Sequence, residues 1–256
     1  MKPHPIISAG WQKLLHFVLP HRCALCDAPS MGMKGLCGPC FGKIQFISQP
    51  SCKGCAFPLA DTVAGRSIQY CGACLRDSPP FDHAVAASRY NDAIASLILR
   101  LKHGDRLDIA PLLSQWMMNA WLSSAPPSVD YILPVPLHWK RQLARRYNQS
   151  LELAKPLEKQ FDAKLWPDLI IRHRATQQMR QMTRRERQKN VANSFSLAPQ
   201  IRKKSRKLLH GRHVLLVDDV MTSGATLRAV AGTLRRANAT KVSILVACRV
   251  AKPEQQ

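Results

Sequence analysis

Two adjacent carboxylates, Asp218 and Asp219, close the apolar run Val214, Leu215, Leu216, Val217, and the small stretch Thr222, Ser223, Gly224, Ala225, Thr226 follows. Four consecutive apolar residues suit a strand buried on both faces of a parallel sheet, with the aspartates at its carboxyl end. From Ser223 onward Leu227, Val230, Ala231 and Leu234 recur on one helical face, which predicts a helix over 223 to 238 and a strand-to-helix turn before it. Such a turn aims free N–H groups and the positive end of a helix dipole at one point, and Gly224 lets the backbone close on an anion. Carboxylates one step earlier accept hydrogen bonds from sugar hydroxyls or hold a divalent cation. A phosphate beside a ribose diol satisfies both halves of the pattern. A nucleoside triphosphatase strand ending in acids would need a G-x-x-x-x-G-K-[ST] loop, and the sequence has none.

The cysteines carry a second chemistry. Eight of nine fall into four C-x-x-C pairs, Cys23/Cys26, Cys37/Cys40, Cys52/Cys55 and Cys71/Cys74, and only Cys248 stands apart. Pairs at this spacing put two thiolates on one ion, and four sulfurs favour tetrahedral zinc over an iron–sulfur cluster or a redox pair. Two structural zinc ions are expected. Sequential pairing joins Cys23, Cys26, Cys37 and Cys40 on one and Cys52, Cys55, Cys71 and Cys74 on the other; spacing leaves a cross-braced arrangement open. Closed four-thiolate sites have no position for a reacting water, so the metal holds the fold. Gly38, Gly54 and Gly72 lie in or beside the turns and are expected in left-handed backbone. Cys248, inside "VSILVAC", reads as an ordinary buried residue.

The elements that must position these groups follow from periodicity. Ile7, Trp11, Leu14, Leu15 and Val18 trace one face of an amphipathic helix over 1–22, the cysteine-rich module spans 23–76, and "DSPPF" marks its end. An α/β domain is expected over 82–250, with a tail at 251–256. "AVAASRY", "YILPVP", "DLIIR" and "VSILVAC" read as extended, and "DAIASLILRLKHG", "LDIAPLLSQWMMNAWL" and "SLELAKPLEKQF" as helices. Strands alternating with helices predict a doubly wound parallel sheet with its ligand at the strands' carboxyl ends. No apolar run is long enough to span a membrane, and the start of the chain lacks a secretory cleavage pattern, so the expected location is cytoplasmic.

The Asp218 to Thr226 stretch resembles the ribose-phosphate signature of type I phosphoribosyltransferases. The wider pattern, four C-x-x-C pairs, "RYNDAIASLILRLKHGDR", "PVPLHWKRQLARRYNQS" and then the aspartate pair, resembles the ComF family. That resemblance implies a double zinc ribbon before a phosphoribosyltransferase-type domain, and a role in DNA uptake or in using DNA as a nutrient. It implies Mg²⁺-dependent binding of phosphoribosyl pyrophosphate, or a related ribose phosphate, by Asp218, Asp219 and residues 222 to 226, and DNA-uptake or helicase proteins as partners. Tyr90, Lys102, Gly104 and Asp105 fit its first block; Arg141, Arg145, Asn148 and Gln149 fit the second, in the place of a pyrophosphate loop. Where the family commonly has glycine, this chain has Arg146. No general base is assigned, so three readings stay open: a nucleic-acid-handling factor with a ribose-phosphate pocket, an active phosphoribosyltransferase of unknown acceptor, and a transcriptional regulator on the same fold.

Charge points to a polyanion. The chain has 38 Lys and Arg against 16 Asp and Glu, a net +22. Between Lys140 and Arg212 there are 20 basic residues against 5 acidic. A solvated loop needs no such excess over a whole segment, whereas single-stranded nucleic acid binds it through phosphates with little base reading. Arg184, Arg185, Arg187 and Lys189 are the candidate contacts.

Overall fold

The computed structural model describes residues 22–30, 35–59, 69–103, 106–173, 186, 191, 193–202 and 205–250; for 140, 141, 144, 205 and 206 it describes the backbone alone. The expected N-terminal helix and the tail therefore lie outside the described residues, Arg22 excepted. Contacts divide the chain into two compact units, Met1–Ile44 and Gln45–Gln256.

The larger unit is built on a five-stranded parallel sheet of order β1-β7-β6-β2-β3. The strands are β1 His83–Arg89, β2 Tyr131–Pro134, β3 Lys164–Leu165, β6 His213–Met221 and β7 Lys241–Arg249. Two further strands, β4 Ile170–Arg172 and β5 Phe195–Leu197, pair antiparallel in a separate small sheet, so "DLIIR" is extended but stands outside the main one. The central strand, β6, holds the aspartates. Val214 to Val217 are fully buried because both faces of β6 are covered.

The longer helices among the described residues are α1 Asp92–His103, α2 Ile109–Ser123, α3 Trp139–Arg145, α4 Gln149–Phe161 and α5 Ala225–Arg236. Helix α2 packs on β1 and β7, and α4 lies beside it on β2 and β6. Helix α5 sends Leu227, Val230, Ala231 and Leu234 into a cluster with Val214, Leu216, Val242, Ile244 and Val246. Alternation along the strands sends Leu215 and Val217 to the opposite face. Four apolar positions at helical spacing therefore seat α5 with its amino end beside the carboxyl end of β6.

Cys52, Cys55, Cys71 and Cys74 belong to that same apolar cluster. The two cysteine modules repeat one local plan. Cys23 N–H donates to Ala28 O at 2.8 Å and Asp27 N–H to Cys23 O at 2.9 Å; Cys52 N–H donates to Phe57 O at 2.8 Å and Ala56 N–H to Cys52 O at 2.7 Å. In each module the third cysteine caps a short helix, Gly38–Phe41 or Gly72–Arg76. The left-handed positions of the first turns are Asp27 (φ 60°) and Ala56 (φ 55°), not Gly38, Gly54 or Gly72, which correct that expectation. Gly54 serves close approach instead: a Cβ there would stand 3.0 Å from both Cβ and Sγ of Cys74. Among the described residues no helix is long and apolar enough to cross a membrane.

Candidate functional site

A cavity of about 550 Å³ opens at the carboxyl end of β6. Asp218, Asp219, Thr222 and Thr226 form its polar side together with Lys102, Arg145 and Ser150; Tyr90, Ala95, Ile98 and Leu99 form an apolar wall. A small recess of about 40 Å³ beside it is lined by Asp218, Val220, Met221 and Thr222 to Leu227. The first cavity falls in the usual size range of small-molecule sites.

The turn between β6 and α5 is tight for a steric reason. Gly224 adopts φ +74° as the cap of α5, and a Cβ there would lie 2.9 Å from Met221 Cε. The helix begins at Ala225, two residues later than the periodicity predicts, because Ser223 and Gly224 are consumed in the turn. Residues of its first turn, whose N–H groups have no partner within the helix, line the recess.

Electrostatics are set by two carboxylates packed side by side. Asp219 is 4% exposed, and Lys102 Nζ forms an ion pair with its Oδ2. Asp218 Oδ1 accepts from Ser150 Oγ at 2.8 Å and from Asp219 N–H at 3.0 Å. Burial pushes the Asp218 carboxyl up to about 7, with repulsion from Asp219 adding to it and the Ser150 and Asp219 hydrogen bonds and Lys102 opposing it. Cys248 is fully buried beneath this site, and its thiol is pushed well up by burial and by the charge of Asp219, which suits an inert core residue.

The "RRYNQS" block reaches the site through helix α4. Asn148 caps α4: its side chain accepts from Ser150 N–H at 3.0 Å and donates to Val135 O at 3.1 Å. That cap sets Ser150 against Asp218. Arg145 Nη1 donates to Gln149 Oε1 at 3.2 Å and lines the cavity. Arg146 stands at φ 62°, a left-handed position that explains why glycine is usual there. Tyr147 Oη donates to Leu101 O, joining the block to the end of α1.

Of the residues predicted from sequence, Asp218, Asp219, Thr222, Thr226 and Arg145 line one cavity, and Ser223, Gly224 and Ala225 line the adjoining recess. Arg141 lies in α3, and its side chain is outside the described residues, as are Arg184, Arg185, Arg187 and Lys189 altogether. Sequence reasoning did not place Ser150, Lys102 or Arg172 in the site, although Lys102 carried a signal, standing one residue before "HG" in the first family block.

The cysteines group as Cys23, Cys26, Cys37, Cys40 and as Cys52, Cys55, Cys71, Cys74, each set with all four sulfurs within 4.8 Å of one another. Pairing is sequential. Sulfur separations of 3.7 Å for Cys26 and Cys37 and for Cys55 and Cys71 fit the edge of a tetrahedron with zinc–sulfur bonds of about 2.3 Å, which is roughly 3.8 Å. The donor set fits structural zinc in both. The first set has an exposed member, Cys26, whereas the second is buried throughout.

Comparison with known proteins agrees with this geometry. The double zinc ribbon domain matches residues 14–75, and the phosphoribosyl transferase domain matches residues 148–256. DNA utilization protein YhgH of Salmonella typhi is 32% identical over 237 residues, covering 90% of this chain and 98% of that protein. Its namesake in Escherichia coli (strain K12) is 30% identical over 236 residues with the same coverage. Competence protein F of Haemophilus influenzae is 29% identical over 221 residues, 81% of this chain and 94% of that protein. With both modules matched and a relative of this identity covered almost end to end, the chain belongs to the ComF/YhgH family of double-zinc-ribbon proteins with a phosphoribosyltransferase domain.

Proposed function

We propose that the cavity at the end of β6 binds phosphoribosyl pyrophosphate or a related ribose phosphate together with Mg²⁺, within a protein that handles single-stranded nucleic acid. The observation that carries the reading is the juxtaposition of Asp218, Asp219, Thr222, Thr226 and Arg145 in one cavity, with Ser223, Gly224 and Ala225 lining the recess beside it. The turn offers N–H and hydroxyl donors to a 5′-phosphate, and the carboxylates accept from ribose hydroxyls. Arg145 suits a pyrophosphate group, which a guanidinium meets with two parallel hydrogen bonds. Mg²⁺ bound with the ligand supplies charge neutralisation at the phosphates.

Titration calorimetry with phosphoribosyl pyrophosphate and Mg²⁺ tests the pocket. Binding is expected in the wild type and lost in the Asp218→Asn/Asp219→Asn variant with its thermal unfolding intact; equal affinity in both sinks the assignment. Pyrophosphate release with candidate acceptors distinguishes an enzyme from a sensor.

The nucleic-acid half rests on the basic excess between Lys140 and Arg212 and on relatives named for DNA utilization and competence. Cytoplasmic residence and partnership with DNA-uptake or helicase proteins belong to the same proposal. If Arg184, Arg185, Arg187 and Lys189 each meet a phosphate, changing all to alanine flattens the log affinity versus log salt slope by about 3 units, at roughly 0.7 per single-strand contact. An unchanged slope assigns the charge to another partner.

A further inference from the structure

The last residue of β7, Arg249, is 2% exposed, and among the described residues its hydrogen bonds all go to backbone carbonyls. Nε donates to Cys55 O at 2.8 Å. Nη1 donates to Met221 O at 3.0 Å, to Thr222 O at 2.6 Å and to Val250 O. One guanidinium therefore holds the first turn of the second cysteine module and the start of the turn that lines the recess.

A guanidinium does not give up its proton, and burying one without an anion is costly. Among the described residues no carboxylate is a partner of Arg249. The compensating charge available nearby is that of Cys52, Cys55, Cys71 and Cys74, whose four thiolates around a divalent zinc carry two net negative charges. With zinc held there, the arginine would lie beside a centre of opposite charge, since its Nε is bonded to the backbone of one of the four cysteines.

The opposite end of the clamp has a geometric consequence. In a trans peptide the carbonyl and the following N–H point in opposite directions. With Met221 O and Thr222 O drawn to Arg249, the N–H groups of Thr222 and Ser223 face away from it. Those are backbone donors of the turn that the proposed function assigns to the phosphate.

We infer that Arg249 is a positioning residue that couples the second Cys₄ centre to the phosphate turn, so that zinc held there strengthens phosphate binding and bound ligand in turn retains the zinc. The inference rests on the phosphate-binding reading of the turn, and the reciprocity follows from linkage.

The experiment uses the full-length chain carrying Cys26→Ser and Cys37→Ser, so that only the second centre holds zinc. Zinc transfer to a chromophoric chelator is timed with and without saturating phosphoribosyl pyrophosphate and Mg²⁺. The ligand is expected to slow transfer by about tenfold where the rate follows zinc affinity, a change within the roughly 5- to 150-fold by which affinities differ at coupled sites. In Arg249→Met the ligand-free transfer accelerates, ligand affinity falls by a similar factor and the ligand no longer slows transfer. Arg249→Lys, which keeps the charge but not the fork, restores slow ligand-free transfer without restoring the ligand's effect.

Equal transfer rates with and without bound ligand in the Arg249-containing protein overturn the coupling, whether or not Arg249→Met folds. Should phosphoribosyl pyrophosphate fail to bind that protein at all, the phosphate reading falls. The zinc-retention contrast between arginine, lysine and methionine at 249 then decides the charge relationship alone, and equal rates in all three overturn that as well.

Discussion

Lys102 and Asp219 form an ion pair inside the cavity, the lysine from α1 and the carboxylate from the central strand, with side chains only 21% and 6% exposed. The lysine already engages Asp219 Oδ2, so a divalent cation drawn to this carboxylate pair, as the proposed function has it, would have to compete with the lysine.

Removing the lysine should therefore expose that competition. In Lys102→Met, Mn²⁺ binding in the absence of any sugar phosphate is expected to tighten by about tenfold, equivalent to roughly 1.4 kcal/mol. Titration followed by electron paramagnetic resonance at about pH 8.5, where Asp218 is ionised, reads the change. Unaltered affinity means that the lysine does not hold the cation's place.

The raised Asp218 carboxyl gives the site a pH dependence. A cation and a ribose diol need it ionised, so affinity for Mg²⁺ with phosphoribosyl pyrophosphate should climb between about pH 6 and 8 and then level, because Asp218 titrates near 7. Stability of the ligand-free protein runs the other way. The folded state holds this proton more tightly than the unfolded chain, so the contribution of Asp218 is fully present below its ordinary value of 3.8 and is lost as pH rises through about 7. Asp218→Asn should remove that pH-dependent contribution, as chemical denaturation at several pH values measures.

At Arg146, with φ 62°, substitution by glycine relieves a left-handed side-chain clash and costs some unfolded-state entropy. The net expected effect is stabilisation of up to about 1 kcal/mol, read as a shifted denaturation midpoint with unchanged slope. Arg146→Ala, which keeps a Cβ, should show no such gain.

Native mass spectrometry should find two zinc ions per chain, one after Cys71→Ser and still two after Cys248→Ser. Limited chelator should strip the first centre sooner, since Cys26 is exposed and the second set is buried. Retention of two ions by Cys71→Ser would contradict the sequential grouping.

Much of this was legible in the sequence because each signal was local. An apolar run ending in Asp218 and Asp219, and C-x-x-C pairs with metal spacing, declare themselves within a few residues. Lys102 and Ser150 were harder to place because their roles depend on which helix ends meet β6, a tertiary fact with no short-range imprint. Arg249 follows "VSILVAC" as one more basic residue in a chain with 38 of them; only burial singles it out. The knuckle glycines misled for a related reason, since Asp27 and Ala56 carry the left-handed backbone and Gly54 answers to crowding by Cys74.

The bond from Arg249 to Cys55 spans 194 residues, and β1 pairs with β7, the final strand of the sheet. During synthesis the first cysteine set can close as soon as Cys40 has emerged, for all its ligands lie within 18 residues of one another. The second set meets its finished apolar surroundings only when the last strand leaves the ribosome, since Val242, Ile244 and Val246 are part of them. A chain that stalls before β7 would therefore carry one completed metal module and one with its apolar flank open, a state that quality-control chaperones recognise by exposed hydrophobic surface.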